Sequence, residues 1–535
     1  MKFFCKTFAF LLAFIFVFSC FAGCDDINIT INSPSSTTVT SGESTTTSNW
    51  EDGWDEDDEV VSTTAATTPS NTPSDNNTQI KPNNPSKPSD PSNTAELPDM
   101  NWRGATFCVL GQEGVNFEIA RDERPDDVVG QAVYERNVAL ANKYNFFVLE
   151  TLVAFPYDEM SVRYAAGEDF YDAVIYTPQY AARHAAEGYL LDLNSLPYTN
   201  LSHPSWNQSA NEQLTIAGKT FFTVSDFMLT AKERSFVLHY NRELAIGAGK
   251  GYLENMVDNN TWTFDNFNSL VTEFSGDGNN DGKSGSAEDN YGVVCESIGS
   301  YSLFLYGGGF RLSNNVDGVV TMAGAGRDIT QILERSASFA LNNNVTYYPD
   351  LHHKDPQFGG NAYGSEMDIF TSGRALFLSA FLGTTDDIIE RADFEHAYMP
   401  YPKYDDKQEN YYTMVNDIAP TVISVPYSVA DTEKSGFMLQ AITEESTTTT
   451  YNAYFEDKCK LQNSIDQRSA DMLDVILENV VFDIAYIYDL GQLRNYLVFE
   501  LPKNQAYNRY DKTYNNRATV AESKLAEITA AYSAE

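Results

Sequence analysis

Apolar and polar positions alternate in blocks that predict strands and helices from about Trp102 onward. The short apolar runs ATFCVLG, NFFVLE and YDAVIYT are typical of buried strands. The runs QAVYERNVALANKY and QYAARHAAEGYLLDL have the spacing of helices with one apolar face. Strands that alternate with helices form largely parallel sheets, so the pattern predicts an α/β fold. Because ligands bind beyond the carboxyl ends of such strands, Tyr176, Thr177 and Tyr180 lie at a candidate crevice.

Further helices are predicted in the second half of the chain. The run TFDNFNSLVTEF begins at a Thr263 cap and places Phe264, Phe267 and Leu270 on one helix face. The runs SEMDIFTSGRA and QRSADMLDVILENVVFDIAYIYDL continue the mixed α/β pattern. At 535 residues the chain is too long for one ordinary core, so we expect two lobes or domains.

The N-terminus has the composition of a bacterial lipoprotein signal. Lys2 and Lys6 precede a long apolar run, and the FAGC sequence that ends at Cys24 resembles a lipobox. We therefore predict a signal peptide over residues 1–24 and a lipid on the sulfur of Cys24. The alternative is an ordinary signal peptide cleaved near Ala22, with Cys24 left unmodified.

Composition and charge narrow the possible functions. Residues 25–98 are rich in Ser, Thr, Pro and acidic residues, which predicts a disordered tether. The whole chain has 35 Lys and Arg against 75 Asp and Glu, a formal net charge of -40. Such a surface repels phosphate backbones, so we expect no nucleic-acid partner.

Three cysteines remain after the signal peptide and Cys24 are set aside. Cys108, Cys295 and Cys459 are far apart in the sequence and form no C-x-x-C motif. A dense disulfide framework is therefore excluded. Each of the three is predicted to be a buried small hydrophobic residue.

Several segments, taken in order, resemble the sugar-binding group of the extracellular solute-binding proteins of ABC importers. GKTFFTVSDF is similar to the strand that enters the ligand cleft, and VLHYNRELA matches the Tyr-Asn-(Lys/Arg) hallmark at Tyr240, Asn241 and Arg242. NTWTFDNF resembles a characteristic helix start at Trp262 and Phe267. FTSGRALFLSAF and HAYMPYPK resemble segments that lead to the cleft and return between the lobes. The resemblance covers most of the chain after its first hundred residues.

The resemblance implies an α/β, two-lobed periplasmic-binding-protein-like fold of type II, with a hinge between the lobes. Residues 99–535 would form the binding domain, with lobe 1 at about 99–230 and 400–470 and lobe 2 at about 235–400 plus the C-terminal helices. It also implies capture, without chemical change, of a mono- or oligosaccharide outside the cell. The anchored protein would pass this solute to the membrane subunits of an ABC permease. The chain departs from the family pattern at Phe264, where Trp or Tyr is usual.

An acidic stretch, GDGNNDGKSGSAEDNYGV, fits the D-x-[DN]-x-[DN]-G-x5-E spacing of a calcium loop. The predicted Ca²⁺ ligands are Asp277, Asn279, Asp281, the backbone carbonyl of Lys283, and Glu288. Ser284 replaces the apolar residue that pairs two such loops, so we expect a structural clip rather than a paired sensor. The alternative is a metal-free loop, because Asp, Asn and Gly also dominate ordinary turns.

Sugar binding requires flat aromatic faces for C–H-rich surfaces and planar polar groups for hydroxyls. The candidate ligand-binding residues are Tyr176, Tyr180, Asp226, Tyr306, Phe381, Asn416 and Asp417. Core packing is the alternative for Phe381, and a turn cap is the alternative for Asp226. Trp262 is expected to be structural.

Two other functions stay open on the sequence. Abundant carboxylates allow a cell-surface carbohydrate-active hydrolase that uses an acid and a nucleophile. The second open function is that of an adhesin or scaffold that does not take part in transport and has a vestigial cleft. The chain has no G-x-S-x-G, H-E-x-x-H or P-loop motif, so familiar hydrolase and nucleotide signatures do not support an enzyme.

Overall fold

The computed structural model describes residues 97–283, 285–354, 361–416, 419–505 and 507–533. The predicted signal peptide, the lipidated Cys24 and nearly all of the predicted tether lie outside the described residues. Among the described helices, none combines the length and apolar character that crossing a bilayer requires.

Two five-stranded mixed sheets form the centre of the fold. The strands are β1 (Ala105–Gln112), β2 (Phe146–Val153), β3 (Ala173–Tyr176), β4 (Phe222–Thr223), β5 (Phe236–Asn241), β6 (Tyr291–Cys295), β7 (Ser313–Val316), β8 (Val319–Met322), β9 (Thr346–Tyr347), β10 (Ala375–Phe381), β11 (His396–Met399), β12 (Thr413–Met414), β13 (Val422–Ser424) and β14 (Val480–Val481). The first sheet has the order β2-β1-β3-β13-β4, and the second has the order β11-β5-β10-β6-β9. Two small two-stranded pairs, β7-β8 and β12-β14, lie outside them.

The connectivity follows the predicted type II arrangement. Strands β1, β2 and β3 are parallel, and β13 pairs antiparallel with both β3 and β4. Because β13 follows β11 in the chain, the polypeptide leaves the first sheet, builds the second and then returns. This strand order confirms the predicted α/β class and two-lobed architecture. We call the halves built around the first and second sheets lobe 1 and lobe 2.

Helices cover both sheets. They are α1 (Val128–Tyr144), α2 (Pro156–Ala166), α3 (Pro178–Ala186), α4 (Gln208–Leu214), α5 (Leu229–Glu233), α6 (Arg242–Gly247), α7 (Glu254–Asp258), α8 (Phe264–Glu273), α9 (Tyr301–Gly307), α10 (Arg327–Ala340), α11 (Ser365–Thr371), α12 (Thr385–Arg391), α13 (Thr432–Thr448), α14 (Gln467–Glu478), α15 (Ile484–Ile487), α16 (Leu493–Asn495), α17 (Leu501–Asn504) and α18 (Tyr510–Ser533). Two π-helical segments, Asn452–Gln462 and Tyr496–Glu500, connect some of them.

Local sequence explains where the best-defined elements begin and end. Helix α1 starts where the Asp127 carboxylate accepts the Gly130 N–H, and it ends at Asn145 in the left-handed conformation. Helix α8 follows Thr263 as predicted, and Phe264, Phe267 and Leu270 are buried on its inner face. Its backbone start is therefore confirmed, although the Thr263 side chain makes no capping hydrogen bond within the described residues.

The cysteine prediction is correct for two of the three residues. Cys295 and Cys459 are buried, and burial raises the pKa of the Cys459 thiol to about 12. Cys108 is only partly buried, so the prediction is wrong there. Its strand neighbour in β2 is Leu149, which is 49% exposed, because this part of the sheet face is incompletely covered.

Three connections join the lobes. The first runs from β4 through α5 to β5, the second from β11 to β13, and the third from α13 through the π-helix Asn452–Gln462 to α14. The first and third touch where the Lys232 ammonium lies 4.6 Å from the centre of the Tyr451 ring. Long π-helices are rare and often occur at functional sites, so the third connection is unusual in its backbone.

The C-terminal helix α18 contacts both lobes. At its start the Tyr510 hydroxyl donates to the carbonyl of Gly324, next to the β7-β8 hairpin. Near its end the ring of Tyr532 lies 4.4 Å from the ring of Phe221, which precedes β4. In between, the helix passes so close to Gly491 that a Cβ there would lie 2.8 Å from the Arg517 carbonyl. Gly491 also has a φ of +61°, so glycine suits this turn on both counts.

Candidate functional site

The strand ends of the second sheet bring three different side chains to one edge. Phe381 closes β10, Glu296 follows β6, and Arg234 precedes β5, which runs antiparallel to β10. The register pairs Phe381 with Phe236, and the two rings lie 4.4 Å apart. The Arg234 guanidinium lies 6.0 Å from the centre of the Phe381 ring. An aromatic face, a cation and a carboxyl group therefore share this edge.

Carboxyl groups around this edge are poorly solvated. Burial raises the pKa of Glu233 to about 7 and that of Glu296 to about 7, although the charge of Arg234 opposes both shifts. Burial also raises the pKa of Glu366 to about 8, and the charge of Glu296 adds to that rise. Near neutral pH these groups are partly protonated, so each can donate or accept a hydrogen bond.

At the corresponding edge of the first sheet, hydrogen bonds join a loop of lobe 1 to the first of the three connections between the lobes. The loop after β1 carries Asn116 and Glu118, both buried. The Thr230 hydroxyl, on α5, donates to the Glu118 carboxyl at 2.6 Å, and the Asn116 amide donates to the same carboxyl at 3.2 Å. Burial raises the pKa of Glu118. This contact ties the lobe 1 loop to the segment that carries Glu233 and Arg234.

The combination of groups suits a polyhydroxylated ligand. A flat aromatic ring can stack on the C–H face of a sugar, and a guanidinium can donate two parallel hydrogen bonds to its oxygens. Carboxyl groups held in a low-dielectric environment make strong hydrogen bonds with hydroxyls. The edge therefore supplies the kinds of contact that carbohydrate recognition requires.

Comparison with solved structures identifies the fold. The maltose-binding protein MalE from Listeria monocytogenes, in complex with maltose, aligns with a TM-score of 0.51 and 12% identity over 79% of this chain and 98% of its own. A cyclo/maltodextrin-binding protein complexed with maltotetraose aligns at 0.49 and 14% over 79% and 97%. An ABC substrate-binding protein from Listeria monocytogenes, in complex with cycloalternan, aligns at 0.46 and 13% over 81% and 100%.

The chain has the fold of the sugar-type ABC solute-binding proteins. The alignment with the maltose-binding protein shows this fold. No protein-family model matches the sequence. No curated protein sequence matches it either.

Within this solute-binding fold, Phe381 and Tyr180 have partly exposed rings, Phe381 at the end of β10 and Tyr180 in the helix that follows β3. Phe381 is part of the lobe 2 edge described above. Tyr180, in the first turn of α3, stacks on Tyr157 of α2 with ring centres 4.8 Å apart. Both positions stay predictions as ligand contacts, and their placement is compatible with that role.

The structure places Tyr176 and Tyr306 in the core instead. Tyr176 is 1% exposed, and its hydroxyl lies 3.2 Å from Nδ1 of His184. Tyr306 is fully buried and donates to the Asp483 carboxylate at 2.8 Å. Neither ring has a surface to offer a ligand in this conformation. Helix α3 packs against the first sheet with its His184 ring beside Tyr176, and Tyr306, on α9, lies against the Tyr486 ring of α15 with centres 6.0 Å apart. Both hydroxyls already have partners. The sequence pattern alone did not distinguish this packing from a role in binding.

The remaining predicted ligand contacts are Asp226, Asn416 and Asp417. The Asp226 carboxylate accepts a hydrogen bond from Thr447 at 2.8 Å, and burial raises its pKa while the Lys232 charge opposes the rise. The Asp226 side chain therefore links the segment after β4 to helix α13 rather than capping its own turn. Asn416 is partly buried near the second connection, and Asp417 lies outside the described residues.

Sequence reasoning missed Arg234 and Glu296. Both lie close to a fully buried strand: Arg234 precedes β5, separated from it by Ser235, and Glu296 directly follows β6. A charged residue at the end of an apolar run was a usable signal. What the sequence lacked was the register that brings these two strand ends beside Phe381.

The predicted calcium loop is well formed in its first half. The Asp277 carboxylate accepts the Gly282 N–H at 2.8 Å, and the Asn279 side-chain oxygen accepts the Asp281 N–H at 3.0 Å. The Asn279 amide donates to Glu288 at 2.9 Å, so the second and last predicted ligands belong to one compact loop. Among the described residues, no group of three His, Cys, Asp or Glu side chains is arranged tightly enough to hold a metal. Oxygen ligands fit Ca²⁺ in kind, and binding would require the side chains to turn inward.

Proposed function

We propose that this protein captures a carbohydrate between its two lobes and releases it chemically unchanged to an ABC importer. The observation that carries the proposal is the shared edge of Phe381, Arg234 and Glu296 on lobe 2, within a solute-binding fold. A ligand that contacts both lobes only when they are closed favours the closed form by its differential affinity.

The ligands of the similar solved structures guide the choice of saccharides to test. The similar structures contain maltose, maltotetraose and cycloalternan. We expect a mono- or oligosaccharide to bind with a micromolar Kd, which corresponds to about -8 kcal/mol. That value is consistent with one or two stacked rings and several charge-assisted hydrogen bonds.

The experiment is a calorimetric titration with a saccharide panel that includes these three sugars, followed by mass spectrometry of the recovered ligand. Saturable binding with an unaltered saccharide supports the proposal. Hydrolysed saccharide would favour the carbohydrate-active hydrolase instead, with Glu233 and Glu296 as the first carboxyl groups to replace. Failure of every saccharide to bind would contradict the carbohydrate assignment.

We also propose that Cys24 carries a lipid and that residues 25–98 tether the binding domain to the outer face of the cytoplasmic membrane. The FAGC sequence supports the anchor, and the polar composition supports the tether. In cells, Cys24→Ser should release the protein from the membrane fraction. Continued membrane association of this variant would contradict the anchor.

A structural Ca²⁺ in the 277–288 loop is the last part of the proposal. The turn that the Asp277 and Asn279 side-chain oxygens hold together, by accepting the Gly282 and Asp281 N–H groups, supports it. Excess EDTA should lower the Tm of protein purified with calcium, and added Ca²⁺ should restore it. The variant Glu288→Gln should lose this response, and an unchanged Tm in EDTA would contradict the site.

A further inference from the structure

The edge strand of the first sheet exposes two large apolar side chains. In the order β2-β1-β3-β13-β4, β2 has a partner on one side only, and within the described residues no strand pairs with its outer side. Phe147 is 51% exposed and Leu149 is 49% exposed. Because successive side chains of a strand alternate between faces, these two lie on the same face. The outer side of β2 therefore combines unpaired backbone groups with an apolar stripe.

This edge lacks the features that normally prevent strand pairing. Natural edge strands are protected by short length, prolines, bulges or outward charges, especially lysines. Strand β2 has eight residues, contains no proline and carries one charged residue, Glu150. The Glu150 carboxylate accepts the Ala120 N–H at 3.2 Å and belongs to the face opposite Leu149. Nothing in β2 itself therefore blocks the addition of another strand.

Two exposed cations lie at the start of β2. Lys143 is in the last turn of α1, just before the strand begins. Arg103 is held at the same end, because the next residue, Gly104, donates its N–H to the Asn145 carbonyl. The start of this edge is therefore positively charged on a chain whose formal net charge is -40.

The other end of β2 is acidic. Glu113 donates its backbone N–H to the carbonyl of Val153, the last residue of the strand. Asp158 follows in the first turn of α2. Both acidic side chains are exposed. When two copies of β2 pair antiparallel, the cationic end of each meets the acidic end of the other. A parallel pairing would bring like charges together, so the charges favour the antiparallel arrangement that a twofold axis produces.

We propose that β2 is the contact surface for a second copy of this chain, which pairs with it antiparallel across a twofold axis. With Leu149 on the axis, Phe147 of each copy lies opposite Thr151 of the other, and these side chains share one face. The first sheets of both copies then form one continuous sheet, and the symmetry closes the assembly as a dimer. This partner is additional to the proposed function and does not depend on a saccharide.

The test uses the chain from residue 24 onward, with Cys24→Ser to prevent lipidation. The buffer contains 0.15 M NaCl, where a Debye length of about 8 Å screens the remaining negative charges. Sedimentation equilibrium measures the dimer dissociation constant of this protein, of Leu149→Lys and of a matched control, Leu461→Lys. Leu461 is 76% exposed and lies in the π-helix of the third lobe connection.

We expect the protein with leucine at both positions to dimerise with a micromolar dissociation constant. Since a lysine on an edge strand opposes pairing, Leu149→Lys should raise that constant at least about tenfold, and Leu461→Lys should leave it unchanged. Hydrogen exchange locates the contact. Amides on the outer side of β2 should exchange more slowly at high protein concentration than at low, and Leu149→Lys should abolish that difference.

Three results would overturn the proposal. The first is a protein that stays monomeric at concentrations of several hundred micromolar, and the second is a dimer that Leu149→Lys leaves intact. The third is protection of the β2 amides that does not change with protein concentration, because another part of the same chain would then cover the edge. None of these results depends on saccharide binding, so the proposed function is tested separately.

Discussion

The ring of Tyr532, in the last helical turn of the chain, packs edge-on against the ring of Phe221 with centres 4.4 Å apart. Phe221 precedes β4 of lobe 1, whereas α18 begins beside the β7-β8 hairpin of lobe 2. The helix therefore acts as a brace that holds both lobes. A second bridge lies nearby, where the Asn315 amide of β7 donates to the carbonyls of Gln213 and Thr215 at 2.9 and 2.7 Å.

Removing the end of this brace should destabilise the protein. Tyr532 is 1% exposed and also hydrogen-bonds to Tyr488. We expect Tyr532→Ala to lower the free energy of unfolding by about 3 kcal/mol, in the range for a buried aromatic residue. Val520, on the same helix, is 62% exposed, so Val520→Ala should change it by less than about 0.5 kcal/mol. Urea denaturation measures both, and equal effects would contradict the brace.

A buried ion pair should be sensitive to the loss of one partner. Arg242 and Glu254 are both buried, and the guanidinium donates to the carboxylate at 2.5 Å. Glu254→Gln leaves the Arg242 charge short of its partner, so we expect a loss of about 3 kcal/mol in chemical denaturation. The exposed pair Arg335–Asp265 provides the control, since Asp265→Asn should cost less than about 1 kcal/mol. A small effect of Glu254→Gln would show that Asp466, the second partner of Arg242, compensates.

Stability should fall in acid because of two buried histidines. Burial lowers the pKa of His239 to about 3 and that of His396 to about 4. Since both values lie below the unfolded value of about 6.5, the contribution is complete above that pH and is lost as the pH falls toward 4. The carboxyl groups with raised pKa, such as Glu366, act in the opposite direction. The test is therefore the difference between His239→Gln and the unsubstituted protein.

Between pH 7 and pH 4 the Tm of the unsubstituted protein should fall more steeply than that of His239→Gln. His239 Nε2 lies 3.0 Å from the Phe381 carbonyl, a contact that glutamine can imitate. Parallel Tm curves for the two proteins would show that His239 does not contribute to the acid sensitivity.

The lobe 2 edge should determine ligand affinity. We expect Phe381→Ala and Arg234→Ala each to weaken saccharide binding by at least tenfold, because one removes the stacking face and the other the guanidinium. Arg391, whose side chain is 42% exposed and pairs with Asp368, is the control, and Arg391→Ala should leave the Kd unchanged. Calorimetry on the three variants measures this. Unchanged affinity in Phe381→Ala and Arg234→Ala would place the ligand elsewhere.

Local patterns predicted the helices and strands well because buried positions recur in the sequence with the period of the element. The strands β1 and β2 and the inner face of α8 are visible in the sequence itself. The pairing of β13 between β3 and β4 is not, because nothing local marks a three-residue strand that joins segments far apart in the chain. Only the family resemblance anticipated that return.

The candidate site was predicted less completely for the same reason. Phe381 and Tyr180 could be chosen because they lie at or just beyond the carboxyl end of a strand, and the same rule also selected Tyr176, whose ring is buried in the core. Whether a strand-end side chain faces a cleft depends on the helix packed over it.

The most direct test is a calorimetric titration of the unsubstituted protein with maltose and the rest of the saccharide panel. We predict one saccharide bound per protein molecule, with a micromolar Kd and full recovery of the intact sugar. Absence of binding by every saccharide, or recovery of a cleaved one, would contradict it.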